Sequence, residues 1–246
     1  YLRFDNNRVN DRLITQSSQS GVAFLFGKTR LWRVIDTREK INLPFIYPKR
    51  PFMEIVMDGL REGQLTVYKA LDDEFKQPLS YAELQQSLVS VDSQWTISPI
   101  TFNDTLIVAV DSFNPLNVTK FRLKEDWIFD EETSTMIVRI RGIAPVEEVY
   151  DKNTGNFRGE KYMFWIHYPS ARDLFANHEA FNPYNDAIKM SWEDVFEMRL
   201  FSSYVVKESN VYDREIQTYA SGIDAVLESE RIKEELFEKE HELWTF

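Results

Sequence analysis

The residues of this chain best suited to do chemistry are three histidines and three runs of acids. The histidines are His167, His178 and His241. The acids are Asp72-Asp73-Glu74, Asp130-Glu131-Glu132 and Glu147-Glu148. Two carboxyls work as an acid–base pair when burial raises the pKa of one of them. Each run here falls in a polar turn or on the shoulder of an expected strand, where adjacent acids are ordinarily solvated. His167, Asp173 and His178 approach one another if a strand carrying His167 folds back on the helix after it. That set lacks the compact His-x-x-x-His spacing of metal sites. His178 also lies where a helix is expected to end, and there an imidazole simply caps. His241 sits in a charged final helix, which predicts exposure. The chain has no Cys, which excludes disulfides, thiolate metal sites and Cys nucleophiles. None of its 8 Gly falls in a GxGxxG or Walker spacing, and no Ser sits in GxSxG. Asn103-Asp-Thr and Asn117-Val-Thr match glycosylation sequons, but matches this short arise by chance and carry no weight. These residues yield no active site, no cofactor site and no metal site.

The elements that position such residues read as a mixture. Residues 1–24, rich in Asn, Ser and Gln, predict an extended arm. From Phe24 to about Arg38, the apolar Phe24, Leu25, Leu31, Trp32 and Ile35 predict a helix, ended by Asn42-Leu43-Pro44. Pro51 opens a second helix that places Phe52, Ile55, Val56 and Leu60 on one face, with Gly59 and Gly63 loosening its end. "LTVYKAL" over 65–71 reads as a strand. Ser80 with Glu83 is a capping-box pattern for a helix bearing Leu84, Leu88 and Val91. Residues 92–117 hold short β-prone runs, "WTISPITF" and "TLIVAVDSF", broken by Pro99 and Asn103-Asp104.

"FRLKEDWIFDEETSTMIVRIRGIAP" alternates on both sides of a polar turn and predicts an antiparallel hairpin. Apolar Phe121, Leu123, Trp127 and Phe129 take odd positions in its first strand. Met136, Val138 and Ile140 take even ones in its second. "VEEVYD", the turn around Gly155 and "EKYMFWIHYP" predict another hairpin. Ser170 is read as the cap of "SARDLFANH", and Ser191 with Asp194 as the capping box of a helix through Phe196 to Leu200. The end is a long amphipathic helix with Ile232, Leu236 and Leu243 on one stripe and Glu235–Lys239 as an i,i+4 pair. The expectation is therefore an α+β fold: antiparallel hairpins, several packed helices, a long C-terminal amphipathic helix and an N-terminal arm. Residues 25–246 form a single domain in this reading.

The totals narrow the function. At 246 residues the chain is long enough to bury a real core. Lys plus Arg number 29 against 40 Asp plus Glu, a formal net charge of −11 that repels a phosphate backbone and argues against nucleic acid. The basic pair Lys49-Arg50 is too small to override that field. Aromatics reach 14%, with 18 Phe, 11 Tyr and 6 Trp. Such a surplus suits a protein that lives in contact with others, and equally a Phe-rich core. No run of 18 apolar residues spans a bilayer. Tyr1 in place of Met is what a chain cut from a longer precursor shows.

Six ordered blocks carry a family resemblance. "LWRVIDTREKINLPFIYP" resembles the hallmark segment of the gliding-motility protein N family, GldN, also called PorN. "DGLREGQLTVY", "KEDWIFDEETSTMIVRIRGIAPV", "FWIHYPSARDLFANHEAFNP", "SWEDVFEMRLFSSYVVKESNVYDR" and "VLESERIKEELFEKEHELW" are similar to its later blocks in the same order. The resemblance implies a non-enzymatic, structural component of the type IX secretion and gliding motility machinery. It implies a periplasmic ring of many copies with an outer-membrane lipoprotein, GldK or PorK. It also implies contact with the periplasmic part of GldM or PorM, the shaft of the inner-membrane motor. The residues taken as candidate partner contacts are Trp32, Arg33, Asp36 and Arg38 in the first block. Leu236, Leu243, Trp244 and Phe246 join them in the terminal helix. The blander reading packs Trp32, Ile35, Leu236 and Leu243 into the core and leaves the charges of 33–39 solvated or paired with each other. Two readings of other classes stay open beside it: a hydrolase using acids or a His-bound metal, and a soluble ligand-binding protein with an aromatic pocket.

Overall fold

The computed structural model of the chain describes residues 25–88, 90–97, 104–111, 113–130, 135–151, 154–183 and 189–243. The expected arm over 1–24, with Phe24, Trp244 and Phe246, lies outside them, as do Pro99, Asn103 and the residues of the 131–134 turn.

The first element corrects the sequence reading. Leu25–Asp36 is a strand, β1, and the predicted helix over Phe24 to Arg38 does not form. Leu31, Trp32, Val34 and Ile35 are all buried, so both faces of the strand are covered. A strand buried on both sides reads as an unbroken apolar run, and such a run contains helical i, i+3 and i+4 spacings by default. After β1 the chain forms a 3-10 turn, Lys40–Ile46, which contains Pro44.

The remaining strands are β2 (Val67–Lys69), β3 (Pro78–Leu79), β4 (Ser90–Ile97) and β5 (Asp104–Asp111). After them come β6 (Val118–Asp130), β7 (Thr135–Tyr150), β8 (Phe157–Tyr162), β9 (Phe164–His167), β10 (Glu179–Ala180), β11 (Met190–Ser191) and β12 (Tyr204–Glu208). The main sheet has eight strands in the order β12-β1-β6-β7-β9-β2-β3, with β8 also on β7. Its pairings are antiparallel. The expected hairpins stand: β6 pairs β7 from Val118 to Asp130, and β7 pairs β8 around Gly155, whose φ of +67° suits a turn glycine. β4 and β5 form a separate two-stranded ribbon in the stretch of β-prone runs, and Val91 lies on β4 rather than on the preceding helix.

The helices are α1 (Phe52–Arg61), α2 (Tyr81–Leu88), α3 (Tyr168–Ala176), α4 (Trp192–Glu197), α5 (Ile216–Tyr219) and α6 (Ile223–Leu243). α1 buries Phe52, Ile55, Val56 and Leu60 on one face, as its spacing predicts. Both expected capping boxes form. The Ser80 and Glu83 side chains cap reciprocally ahead of α2, and Ser191 with Asp194 does the same at α4. α4 stops at Glu197, short of Leu200, and Arg199 comes next but one with φ +54°. Ser170 corrects another expectation. It sits inside α3, whose N-cap is His167, and its hydroxyl donates 2.9 Å to the His167 carbonyl.

The main core joins one face of the sheet, through Ile35, Phe121, Leu123, Ile143 and Ile166, to α1, α3 and α4. Its centre is aromatic. Phe52 lies 4.6 Å from Trp192 and 5.3 Å from Phe121 between ring centroids, and Phe45 lies 4.9 Å from Trp192. Much of the aromatic surplus is therefore core. Gly59 permits close helix contact, because a Cβ there would stand 2.5 Å from Leu174 Cδ2. A smaller core of Leu31, Val205, Ile216, Ile232 and Leu236 fixes α6 over β1 and β12.

Candidate functional site

β1 lies between the edge strand β12 and β6 and alternates its candidates between two environments. Leu31, Arg33 and Ile35 share one face, and Trp32, Val34 and Asp36 share the other. On the first face, Leu31 belongs to the small core under α6 and Ile35 to the main core. Arg33 lies between them and donates from Nε to Ser203 Oγ at 2.9 Å, and from Nη2 to the Ser203 carbonyl at 2.9 Å. Burial holds its guanidinium below the usual arginine range. Beside it the Glu125 carboxylate is fully buried, receiving Trp127 Nε1–H at 3.0 Å and pairing with Arg199 at 2.9 Å.

The other face is built from charge. Lys120, Arg122 and Lys124 recur at every second residue of β6, opposite Asp36, Val34 and Trp32, and all three are buried. Trp32 is 6% exposed, with Lys207 Nζ 4.4 Å and Lys124 Nζ 5.6 Å from its ring. Each ammonium gains about 0.5–2 kcal/mol from a ring face in such a place. Lys124 is held in turn by the Asp73 carbonyl at 2.6 Å and by the Asp73 and Glu74 carboxylates at 3.2 and 3.5 Å. Lys207 pairs with Asp213 at 2.5 Å. Arg122 meets Glu215 at 2.6 Å and the Tyr162 hydroxyl. Lys120 pairs with Glu160 at 2.5 Å and Glu148 at 3.2 Å. Arg38 bridges Asp36 at 2.5 Å and Glu148 at 3.2 Å. Burial pushes the Asp36 carboxyl up, but its bonds to Arg38 outweigh that and leave it below the usual range. The Glu148 carboxyl is also low, held by the Tyr150 hydroxyl and then by Lys120.

The sequence candidates therefore divide. Trp32, Arg33 and Asp36 are engaged within the sheet, and Arg38 is the exposed one of the four. Leu236 is 4% exposed in the core it shares with Leu31, which brings the first and last of the blocks together. Leu243 is the last residue of α6. Sequence reasoning did not single out Lys120, Arg122 and Lys124. Their signal is the alternation Lys-Phe-Arg-Leu-Lys over 120–124, a strand with one apolar and one cationic face.

Among the described residues, the others with chemical potential do not converge; the side chains of Asp130, Glu131 and Glu132 lie outside them. The His167 ring packs 5.1 Å from Phe75, and burial, with Arg141 nearby, lowers its pKa. His178 Nδ1 lies 2.7 Å from the Leu174 carbonyl just past the end of α3, so that nitrogen carries the proton. His241 is exposed. Asp73 and Glu74 serve Lys124, and Asp72 Oδ2 accepts the Lys76 N–H at 2.6 Å and that of Gln77. Among the described residues, no three His, Asp or Glu side chains group to hold a metal, and no helix is long and apolar enough to cross a membrane. What this arrangement does is lock strand to strand and loop to sheet through paired charges.

The surface of α6 is different. Opposite its buried Ser229, Ile232 and Leu236 it presents Ile223, Val226, Leu227 and Phe237 to solvent. A cavity of about 480 Å³ opens beside it, between α5, α6 and the free edge of β12. Compared with known families, the chain matches the model described as "Gliding motility associated protein GldN" over residues 25–245. No curated protein matches it.

Proposed function

The chain belongs to the gliding motility associated protein GldN family, and from that premise we propose that it is a structural, non-catalytic building block of the type IX secretion and gliding machinery. It stands in the periplasm, as copies side by side in a ring with the outer-membrane lipoprotein GldK or PorK. It also touches the periplasmic region of the motor shaft, GldM or PorM. The observation that carries this reading is the family match, which runs from the start of β1 to beyond the end of α6.

The geometry supports it in two ways. The charged residues that crowd the sheet are consumed by one another, which suits a rigid unit. Large apolar side chains remain outside on α6, and such exposure supports a role in meeting another chain. Of the sequence candidates whose side chains are described, Arg38 is the one that stays exposed, while it pairs with Asp36 and Glu148.

Co-expression with the lipoprotein, then size-exclusion chromatography and imaging, tests the reading. Co-elution as a high-mass ring is expected. Independent elution from the lipoprotein and from the shaft region overturns it.

A further inference from the structure

α6 carries an apolar stripe that the fold does not use. Ile223, Val226, Leu227 and Phe237 are 79%, 63%, 62% and 70% exposed, and at 3.6 residues per turn they fall within an arc of about 100°. Acids lie both within the arc, at Glu230 and Glu234, and beside it. Glu228 and Glu235 pair with Arg231, and Glu230 pairs with Lys233. Asp224, Glu234 and Glu238 have no ion-pair partner among the described residues, so this face is both apolar and negative.

A second segment of the same chain has the opposite character. After β1, the 3-10 turn sends Asn42, Pro44 and Phe45 inward and leaves Lys40, Ile41 and Leu43 exposed. Just past its end, Lys49 and Arg50 are exposed too. Lys40, Lys49 and Arg50 have no ion-pair partner among the described residues. Up to Pro48 this is the Pro- and aromatic-rich end of the "LWRVIDTREKINLPFIYP" block, with Lys49 and Arg50 directly after it, and its outward residues serve neither the core nor the charged sheet face.

We propose that these two patches bind each other between copies. The 40–50 segment of one subunit seats Ile41 and Leu43 against the α6 stripe and the cavity of about 480 Å³ beside it in the next. Lys40, Lys49 and Arg50 face Asp224, Glu234 and Glu238 across the contact. Copies that each carry a net charge of −11 repel at long range, so a local match of unlike charges fixes where and in which orientation they meet. Two different patches make the contact heterologous, and such contacts build rings or filaments rather than closed dimers. The inference rests on the ring reading above and adds the surface that joins neighbours.

The absence of cysteine makes the test clean. Ile41→Cys and Leu227→Cys are made singly and together in the full chain, co-expressed with the lipoprotein and treated with a short bismaleimide. The double variant is expected to give a ladder extending beyond dimers, and each single variant none. Lys49→Glu with Arg50→Glu should abolish the ladder, as should Glu234→Lys with Glu238→Lys. All four reversals in one chain should restore it. A dimer from either single variant shows a patch meeting itself and overturns the proposal, as do products of the double variant that stop at monomer or dimer. Large assemblies without the ladder remove this contact and leave the ring reading standing. Only monomers from the unsubstituted chain remove both.

Discussion

Lys124 shows how unequal the two halves of an ion pair can be. The ammonium is 2% exposed, while the Asp73 and Glu74 carboxylates that hold it keep 36% and 55% of their side-chain surface. Removing the cation strands neither acid, because both return to water, and frees only the Asp73 carbonyl. Removing the acids leaves a buried charge with the Asp73 carbonyl and two aromatic rings for company. Asp73→Asn with Glu74→Gln is therefore expected to cost about 2 kcal/mol, a buried-pair penalty reduced by the exposure of the anions. Lys124→Met should stay within about 1 kcal/mol of the parent. Urea unfolding checks both, and the reverse order would show that the acids do not hold the ammonium.

A second residue-scale prediction concerns pH. Asp36 and Glu148, which flank Arg38 and Lys120, have folded pKa values below their ordinary 3.8 and 4.5. A carboxyl depressed by folding binds fewer protons in the native state than in the unfolded one. Its contribution is complete above the ordinary value and disappears as pH falls through the folded one. Unfolding free energy should therefore decline below about pH 4.5, and Glu148→Gln should lower stability at neutral pH and make that acid slope shallower. His167 adds a slope of the same sign nearer its ordinary 6.5, because burial lowers its pKa and protonation favours the unfolded chain.

Among the elements, α6 depends on few contacts. Among its described side chains, Ile232 and Leu236 are the large buried ones, packed on Leu31, Val205 and Ile216, and the Ser229 hydroxyl accepts the Val205 N–H at 3.1 Å. Leu236→Ala should cost about 2–5 kcal/mol by transfer and cavity terms. Ser229→Ala should cost about 1–3 kcal/mol by orphaning an N–H. Amide exchange at β12 and α6 should rise before it rises in the main core, and a uniform rise would contradict separate cores.

The same elements show what the sequence can tell. α1, both capping boxes, the two hairpins and the terminal helix were legible, because each is specified locally by period, cap or turn. β1 was not. Its register is set by β6 on one side and β12 on the other, partners distant in sequence, and burial on both faces erased the alternation that marks a strand. Ser170 misleads for a smaller reason: the chain enters α3 three residues earlier, through Tyr168 and Pro169, so the cap position falls on His167. In the candidate site, the apolar half of Lys-Phe-Arg-Leu-Lys gave the strand. The cationic half passed for a wet face, because the anions that bury it come from the 73–74 turn, β7, β8 and the 213–215 segment.

At the scale of the whole molecule, the main sheet carries the main core, the small core under α6 and, among the charges of its other face, a third cluster of Trp32, Val34, Ala144, Trp165 and Val206; β1 is common to all three through Leu31, Trp32, Val34 and Ile35. That argues for treating residues 25–246 as one folding unit, as we propose, with residues 1–24 adding to assembly rather than to stability. β1 already satisfies its buried side chains with β6, β12 and α6, so stability is not expected to depend on what precedes Leu25. A chain beginning at residue 25 should unfold in one cooperative transition, with a midpoint within ~2 °C of the full chain, which corresponds to less than about 1 kcal/mol at this size. If the first 24 residues supply part of a contact with a neighbour or the lipoprotein, the shortened chain should yield fewer or smaller rings at the same concentration. An unchanged midpoint with lost assembly assigns those residues to the interface. A midpoint lowered by many degrees instead makes them part of the fold and refutes the division at residue 25.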